Sequence, residues 1–427
     1  MKKIYILATV ALVASAACTK IELSDSATPD VKIGYQVATY LNQTKADTHG
    51  HTSFLDELTE LGISSNQSFK SRAYIHAAQS DGTVAAPALF FNAAGDGIET
   101  VTYASNKWEP AHTYYWPKAA KSSLSFFSWY DFAGATPSVT YTTDGGSASL
   151  AWTDRTVALK DNVLYADAAY HYKNNDQASH KLDGVTEGVP TLFHHALAKV
   201  RFTVKASVTE KEDSKNAGYK TFWKVTLSDV ALSSNAINSK GNLTLSQTSG
   251  TAANTQVTWT LPTPAIWTVA ATPAYLTANL GNSTGDIFDT DVARGTTALT
   301  TTAVELTGDN FMDGTYFTVL PQVVADNVTL NFKYTIETRY GNGTFDAATL
   351  VSTETVAVTE LAGTEAYYTA TGIKLNAIGL TPIPNWEMNH RYVYNIIINP
   401  QTSTILYDPA VEDWADETSA DVTVPNA

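Results

Sequence analysis

The chain is almost without cysteine. Cys18 is the only one in 427 residues, so no internal disulfide can form and stability must come from burial. It is poor in charge, at 16 % Asp, Glu, Lys and Arg, and poorer still in cations, with 27 Lys and Arg against 42 Asp and Glu. A net charge of −15 without a basic cluster speaks against nucleic acid and anionic membrane surfaces as partners, since both demand concentrated cations. The apolar run Ile4–Ala14 is too short to span a bilayer. Helical periodicity is scarce, the best candidate being Phe54–Leu61, about two turns. Phosphate-binding loops, G-x-S-x-G elbows, H-E-x-x-H helices and EF-hand spacings are missing. The carboxylates show no pattern that would mark a catalytic pair, and no enzyme activity and no cofactor are expected.

The histidines do not repair this. His194 and His195 are adjacent, and neighbouring side chains on a strand point to opposite faces, so they cannot chelate one metal. The expectation is one packed and one exposed imidazole. His49 and His51 could share a face, but they lie in a polar, Gly-containing stretch with no third ligand nearby.

What is present begins with export. Met1-Lys2-Lys3 is a short basic start, followed by the apolar run and then Ser15-Ala16-Ala17-Cys18. Cys18 stands where a lipoprotein signal peptidase would leave a thiol to acylate, although Ser15 occupies a position where such signals usually carry Leu. An ordinary secretory signal with an incidental Cys is the alternative. Residues 1–17 are read as the signal peptide, and lipidation, including palmitate, is expected on Cys18.

Beyond the leader, period-2 patterns dominate. Val328, Leu330, Phe332, Tyr334 and Ile336 alternate with polar residues, as do Val200, Phe202 and Val204, and Trp223, Val225 and Leu227. Val31, Ile33, Tyr35 and Val37 form an alternating strand early in the chain. Turn clusters such as Asp144-Gly145-Gly146 and Gly341-Asn342-Gly343 interrupt these runs. Many short strands and polar loops predict an all-β fold with few short helices, in two β-sandwiches rather than one. The break is expected in the charged segment 207–217, giving sandwiches over 46–208 and 209–427, with 184–188 as the alternative. Nine Trp and 22 Tyr invite a sugar-stacking reading, but in a sandwich most aromatics belong to the core. Phe126, Phe127 and Trp129 are expected to fill a strand buried on both faces.

Several segments carry a family resemblance. Phe69–Ala77 (FKSRAYIHA), Trp108 and Tyr114-Tyr115-Trp116-Pro117 lead into Leu124–Tyr130 (LSFFSWY). Leu192–Val204 (LFHHALAKVRFTV), Phe317–Gln322 (FTVLPQ), Asn385-Trp386, His390–Tyr394 (HRYVY) and Val411–Trp414 (VEDW) follow. In this order, behind a lipoprotein-like leader, they resemble the fimbrillin family of Bacteroidetes. The resemblance implies two tandem transthyretin-like sandwiches and a role as structural subunit of a type V pilus, serving cell adhesion.

The resemblance also implies an assembly route. The precursor reaches the outer membrane as a lipoprotein held by lipid at Cys18, and a trypsin-like or Arg/Lys-specific protease cuts after Lys45, so that the filament subunit starts at Ala46. Residues 18–45 are then a propeptide whose strand, with Val31, Ile33, Tyr35 and Val37, is released. Losing it uncovers unpaired backbone and apolar surface, which a neighbouring subunit's strand can cover by β-augmentation. The donor lies within Thr404–Val424, with Ile405, Tyr407, Val411, Trp414, Val422 and Val424 as candidate anchors, and the head-to-tail exchange gives a filament. The competing expectation is a surface lipoprotein that binds polysaccharide on exposed aromatic platforms.

Overall fold

The computed structural model describes residues 32–40, 51–52, 54–60, 62–77, 79, 85–93, 95–118, 121–142, 146–172, 188–233, 235–247, 255–308, 311, 315–358, 368–369, 372–376 and 383–413. Among them the fold is all-β, with one α-helix, α1 (Phe54–Glu60), at the segment where helical periodicity was best.

The first half contributes β1 (Tyr35–Tyr40), β2 (His51–Thr52), β3 (Ser68–His76), β4 (Ala88–Leu89), β5 (Ile98–Ala104) and β6 (Lys107–Pro110). It continues with β7 (Ser123–Asp131), β8 (Ser138–Tyr141), β9 (Ala148–Thr156), β10 (Val163–Ala166), β11 (Ala168–Tyr172) and β12 (Val189–His195). The second half supplies β13 (Ala198–Ala206), β14 (Glu210–Glu212), β15 (Tyr219–Leu232), β16 (Lys240–Gln247), β17 (Thr255–Val257), β18 (Thr268–Val269), β19 (Val304–Glu305) and β20 (Phe317–Val319). Last come β21 (Gln322–Val323), β22 (Thr329–Asn342), β23 (Thr349–Ala357), β24 (Tyr368–Thr369), β25 (Gly372–Lys374), β26 (Asn385–Trp386), β27 (His390–Asn399) and β28 (Thr404–Asp413).

The largest sheet closes on itself. β7 pairs β10, β10 pairs β12, β12 pairs β1, β1 pairs β6, β6 pairs β5, β5 pairs β3, and β3 returns to β7. Strand alternation then gives every strand an inside and an outside. Along β7, Leu124, Phe126 and Tyr130 belong to the interior core, while Phe127 and Trp129 belong to a second core on the outer face. The expectation for this strand is therefore met. Phe54 and Leu58 of α1 complete the interior core. The outer core lies between the ring and a sheet of order β18-β16-β9-β8, which supplies Leu150, Trp152, Leu243 and Leu245.

A third core occupies the second half. β13 pairs β27 in parallel from Lys199↔Arg391 to Ala206↔Ile398, and β15 pairs β22 antiparallel. Val200, Phe202, Val204, Tyr394 and Ile396 from the first pair face Val225, Leu227, Leu330, Phe332, Tyr334 and Ile336 from the second. Apart from Tyr394 and Ile396, these are the residues whose alternation marks half-buried strands.

The chain leaves the ring with β12 and enters the third core with β13, so the change of sheet falls at Ala196-Leu197, upstream of 207–217. The charged segment is instead a solvated hairpin: β14 pairs β15, and Lys220 Nζ bridges Glu210 and Glu212 at 2.7 and 3.0 Å. Charge there marks exposure rather than a linker. β16 and β17 also turn back to pair β9 and β11, so sequence order does not divide the cores cleanly.

Candidate functional site: the seat of strand β1

β1 is the strand that joins β12 to β6 and completes the ring. Its parallel register with β12 runs from Tyr35↔Val189 to Thr39↔Phe193, whereas its register with β6 is the single pair Tyr35↔Trp108. Ahead of the strand, the Ile33 N–H donates to Tyr114 O at 2.9 Å and Lys32 bridges Tyr115. The Val189 N–H donates to Gly34 O at 2.8 Å. Here the backbones approach so closely that a Cβ on Gly188 would sit 2.9 Å from Gly34 O. β1 is thus gripped continuously by β12 along one edge, while its other edge is held piecewise, by Tyr114-Tyr115 ahead of the strand, by β6 at Tyr35 and by β2 at Thr39 and Tyr40.

Ile33 and Tyr35 are buried in the interior core and Val37 packs against it half-buried; Val31 lies outside the described residues. The Tyr35 ring meets Phe69 and Phe126 edge-on at 5.4 and 5.9 Å between centroids. Its hydroxyl donates to Ser71 Oγ at 3.0 Å, and Ser128 Oγ donates to the same oxygen at 2.9 Å. Burial pushes the phenol far above its ordinary pKa, so Tyr35 acts as a neutral donor. Burying Ile33 and Tyr35 contributes about 3–6 kcal/mol, before entropy costs.

One mouth of the ring is polar. Buried Glu99 accepts from Tyr114 OH at 2.9 Å and lies 3.1 Å from His112 Nδ1. Partial burial, then the bond to Glu99, pushes the Tyr114 phenol up to about 12. The loop carrying Tyr114 is the one that holds Ile33, so this mouth fastens the start of β1.

The other residues singled out in the sequence are less concentrated. Ile405, Tyr407 and Val411 lie in β28, which pairs β27 along its whole length and forms the outer edge of its sheet, and Ile405 is buried in the third core. Cys18, Lys45, Ala46, His49, Trp414, Val422 and Val424 lie outside the described residues. His51 forms part of β2, in register with Tyr40. His194 and His195 do point to opposite faces, but both are buried, which corrects the expectation of one exposed ring. The reason is that β12 is covered on both sides. His194 Nε2 lies 2.9 Å from Asp167 Oδ1 and its ring stacks on Tyr165, while His195 Nδ1 lies 3.4 Å from Asn162 Oδ1.

Two polar clusters stand apart from β1, the first without any signal in the sequence and the second within the FTVLPQ segment. Arg155 donates to both Asp131 oxygens at 2.9 Å and to Asp161 Oδ1 at 2.8 Å, all three side chains being buried. Desolvation, opposed by Arg155, pushes the Asp161 carboxyl up to about 6. Gln322 of the FTVLPQ segment accepts from the N–H and Nδ2 of Asn238 at 2.9 and 3.1 Å and donates to Asn238 O and Leu320 O at 3.0 Å. The first cluster ties β7 to β9, and the second ties β21 to the segment between β15 and β16. Among the described residues no group of three His, Cys, Asp or Glu could hold a metal ion, and every described tryptophan except Trp223 is buried.

These features define an all-β protein whose conspicuous segments are core positions and whose N-terminal strand completes a closed ring. The sequence profile of the fimbrillin-like family matches residues 75–414, and the chain belongs to that family. β1 lies upstream of the matched span. No curated protein matches the sequence. Among solved structures, a fimbrial protein from Bacteroides vulgatus aligns over 90 % of this chain and 99 % of its own, at 16 % identity and a TM-score of 0.49. The fimbrial anchor protein of Porphyromonas gingivalis aligns over 90 % of this chain and 98 % of its own, at 12 % identity and a TM-score of 0.24. A C-terminally truncated tip fimbrial protein from the same organism aligns over 90 % and 100 %, at 11 % identity and 0.26.

Proposed function

We propose that this chain is a structural subunit of a cell-surface type V pilus serving adhesion, and that subunits join by exchanging β1 for a strand of a neighbour. Family membership supports the pilus role. The observation that carries the exchange is the place of β1: it completes the ring, is gripped mainly by β12, and ends at Tyr40, ahead of Lys45.

In this reading the precursor is exported as an outer-membrane lipoprotein acylated on Cys18. A trypsin-like or Arg/Lys-specific protease then cuts after Lys45, the mature chain begins at Ala46, and β1 is held by non-covalent contacts alone. Once β1 leaves, the edges of β12 and β6 and the places of Ile33 and Tyr35 lie open. The donor comes from the segment that begins at Thr404. β28 suits this because an outermost strand can leave its sheet without opening the middle of it. Each subunit then fills its neighbour's ring, a heterologous contact that does not close and so propagates as a filament.

The test is limited trypsin treatment of the non-acylated full chain, followed by N-terminal sequencing and electron microscopy. The expected result is a new terminus at Ala46 and ladder-forming oligomers or filaments. Filaments that retain residues 19–45 would refute the mechanism.

A further inference from the structure

Within the ring one spot is unlike its surroundings. Ser71 and Ser128 are a cross-strand register pair of β3 and β7, exposed by 0 and 3 %, in a core otherwise built from Phe69, Phe91, Phe126, Trp108 and Val101. Tyr35 OH and Ser128 Oγ both donate to Ser71 Oγ, at 3.0 and 2.9 Å. Glu99, in register with Ser71 on β5, does not compete for Tyr35, because it is taken by Tyr114, His112 and the Thr100 N–H. The seat of β1 therefore reads two side chains two positions apart: an aliphatic one at Ile33 and a phenol at Tyr35.

The spacing Ile-x-Tyr occurs at only two places in the chain, Ile33-Gly34-Tyr35 in β1 and Ile405-Leu406-Tyr407 in β28. We infer that the Ser71–Ser128 pair makes the vacated β1 seat selective for a tyrosine-bearing strand of a second copy of this chain, with Ile405 and Tyr407 taking the places of Ile33 and Tyr35. The inference rests on the strand-exchange reading and adds to it a register and a selecting group. Leu406 falls at Gly34, where an added Cβ would make only an ordinary 3.7 Å contact to Trp108 O. Asp408 falls at the buried Gln36 position, so the fit improves when that carboxylate is neutral. Without a phenol at the Tyr35 position, Ser71 loses one of its two donors and keeps only Ser128, so a strand lacking the hydroxyl binds about fivefold more weakly.

The experiment uses the full chain cut after Lys45 and three labelled peptides: residues 32–40, residues 404–413, and residues 404–413 carrying Tyr407→Phe. Binding is read by fluorescence anisotropy on wild type and on a Ser71→Ala/Ser128→Ala variant whose thermal unfolding confirms that it folds. On wild type the tyrosine peptide binds at least about fivefold more tightly than the phenylalanine peptide, and the double variant loses this preference. Equal binding of the two on wild type overturns the serine selection. Binding of 32–40 without binding of 404–413 overturns the choice of donor and leaves exchange standing. If no peptide binds, 32–40 included, strand exchange itself fails and this inference with it.

Discussion

Replacing Tyr35 by Ala in the uncut chain removes a buried ring from between Phe69 and Phe126 and takes a donor from Ser71. Truncating a buried aromatic to Ala costs about 3–5 kcal/mol, and the hydroxyl accounts for about 1 kcal/mol of that. Because β1 completes the ring and packs against the interior core but not the third core, the loss should fall on local opening rather than spread through the molecule. Hydrogen exchange separates the two cases. Amides of β12 should lose about two to three and a half decades of protection, since each 1.4 kcal/mol is a factor of ten. Amides of β15, in the third core, should keep theirs. Tyr35→Phe should reproduce only the hydroxyl's share, less than about one decade. Equal loss in both cores, or a change below about 0.5 kcal/mol, would refute the idea that β1 closes the ring.

Gly188→Ala drives a Cβ into the Gly34 carbonyl and should destabilise by about 1–3 kcal/mol, read as a lower melting temperature and faster release of β1 after cutting. Gln322→Ala leaves four hydrogen bonds to Asn238 and Leu320 unmade and should cost about 2–5 kcal/mol in urea unfolding; a shift under about 0.5 kcal/mol would deny the glutamine its fastening role. Asp161 has a folded pKa raised to about 6, above its unfolded value, so its contribution is fully present below about pH 4 and declines as pH rises through about 6. Urea midpoints of wild type minus Asp161→Asn, measured from pH 4 to 7, should therefore fall with pH; a flat difference would contradict the buried carboxylate.

Much of this molecule is readable along the chain because a strand repeats every two residues. Phe332, Tyr334 and Ile336 announce a half-buried strand wherever their partners lie, and LSFFSWY announces one buried on both faces. The resemblance reads the same way, since Trp108, Trp116, Trp129, Trp386, Tyr392 and Tyr394 of its segments are core positions: Trp386 Nε1, for example, donates to Tyr394 OH at 2.8 Å. One reading failed where exposure was inferred from polarity: one of the two histidines was expected in solvent, yet both are buried, His194 beside Asp167 and Tyr165. The charged segment 207–217 is exposed and also ordered, because Glu210 and Glu212 pair with Lys220 across a hairpin. Arg155, Asp131 and Asp161 carry no mark in sequence, because their attraction depends on which strands the fold brings together.

The sequence by itself determined that the fold is all-β, where its most regular strands lie and which of their side chains face a core, because these follow from local periodicity. Only the tertiary structure decided that β1 completes a ring beside β12, that β13 lies parallel to a strand almost two hundred residues away in Lys199↔Arg391 register, and that Tyr35 finds a serine pair beneath it. Those outcomes depend on long-range pairing, and a strand's pattern states which face it buries but not which neighbour will take its edge.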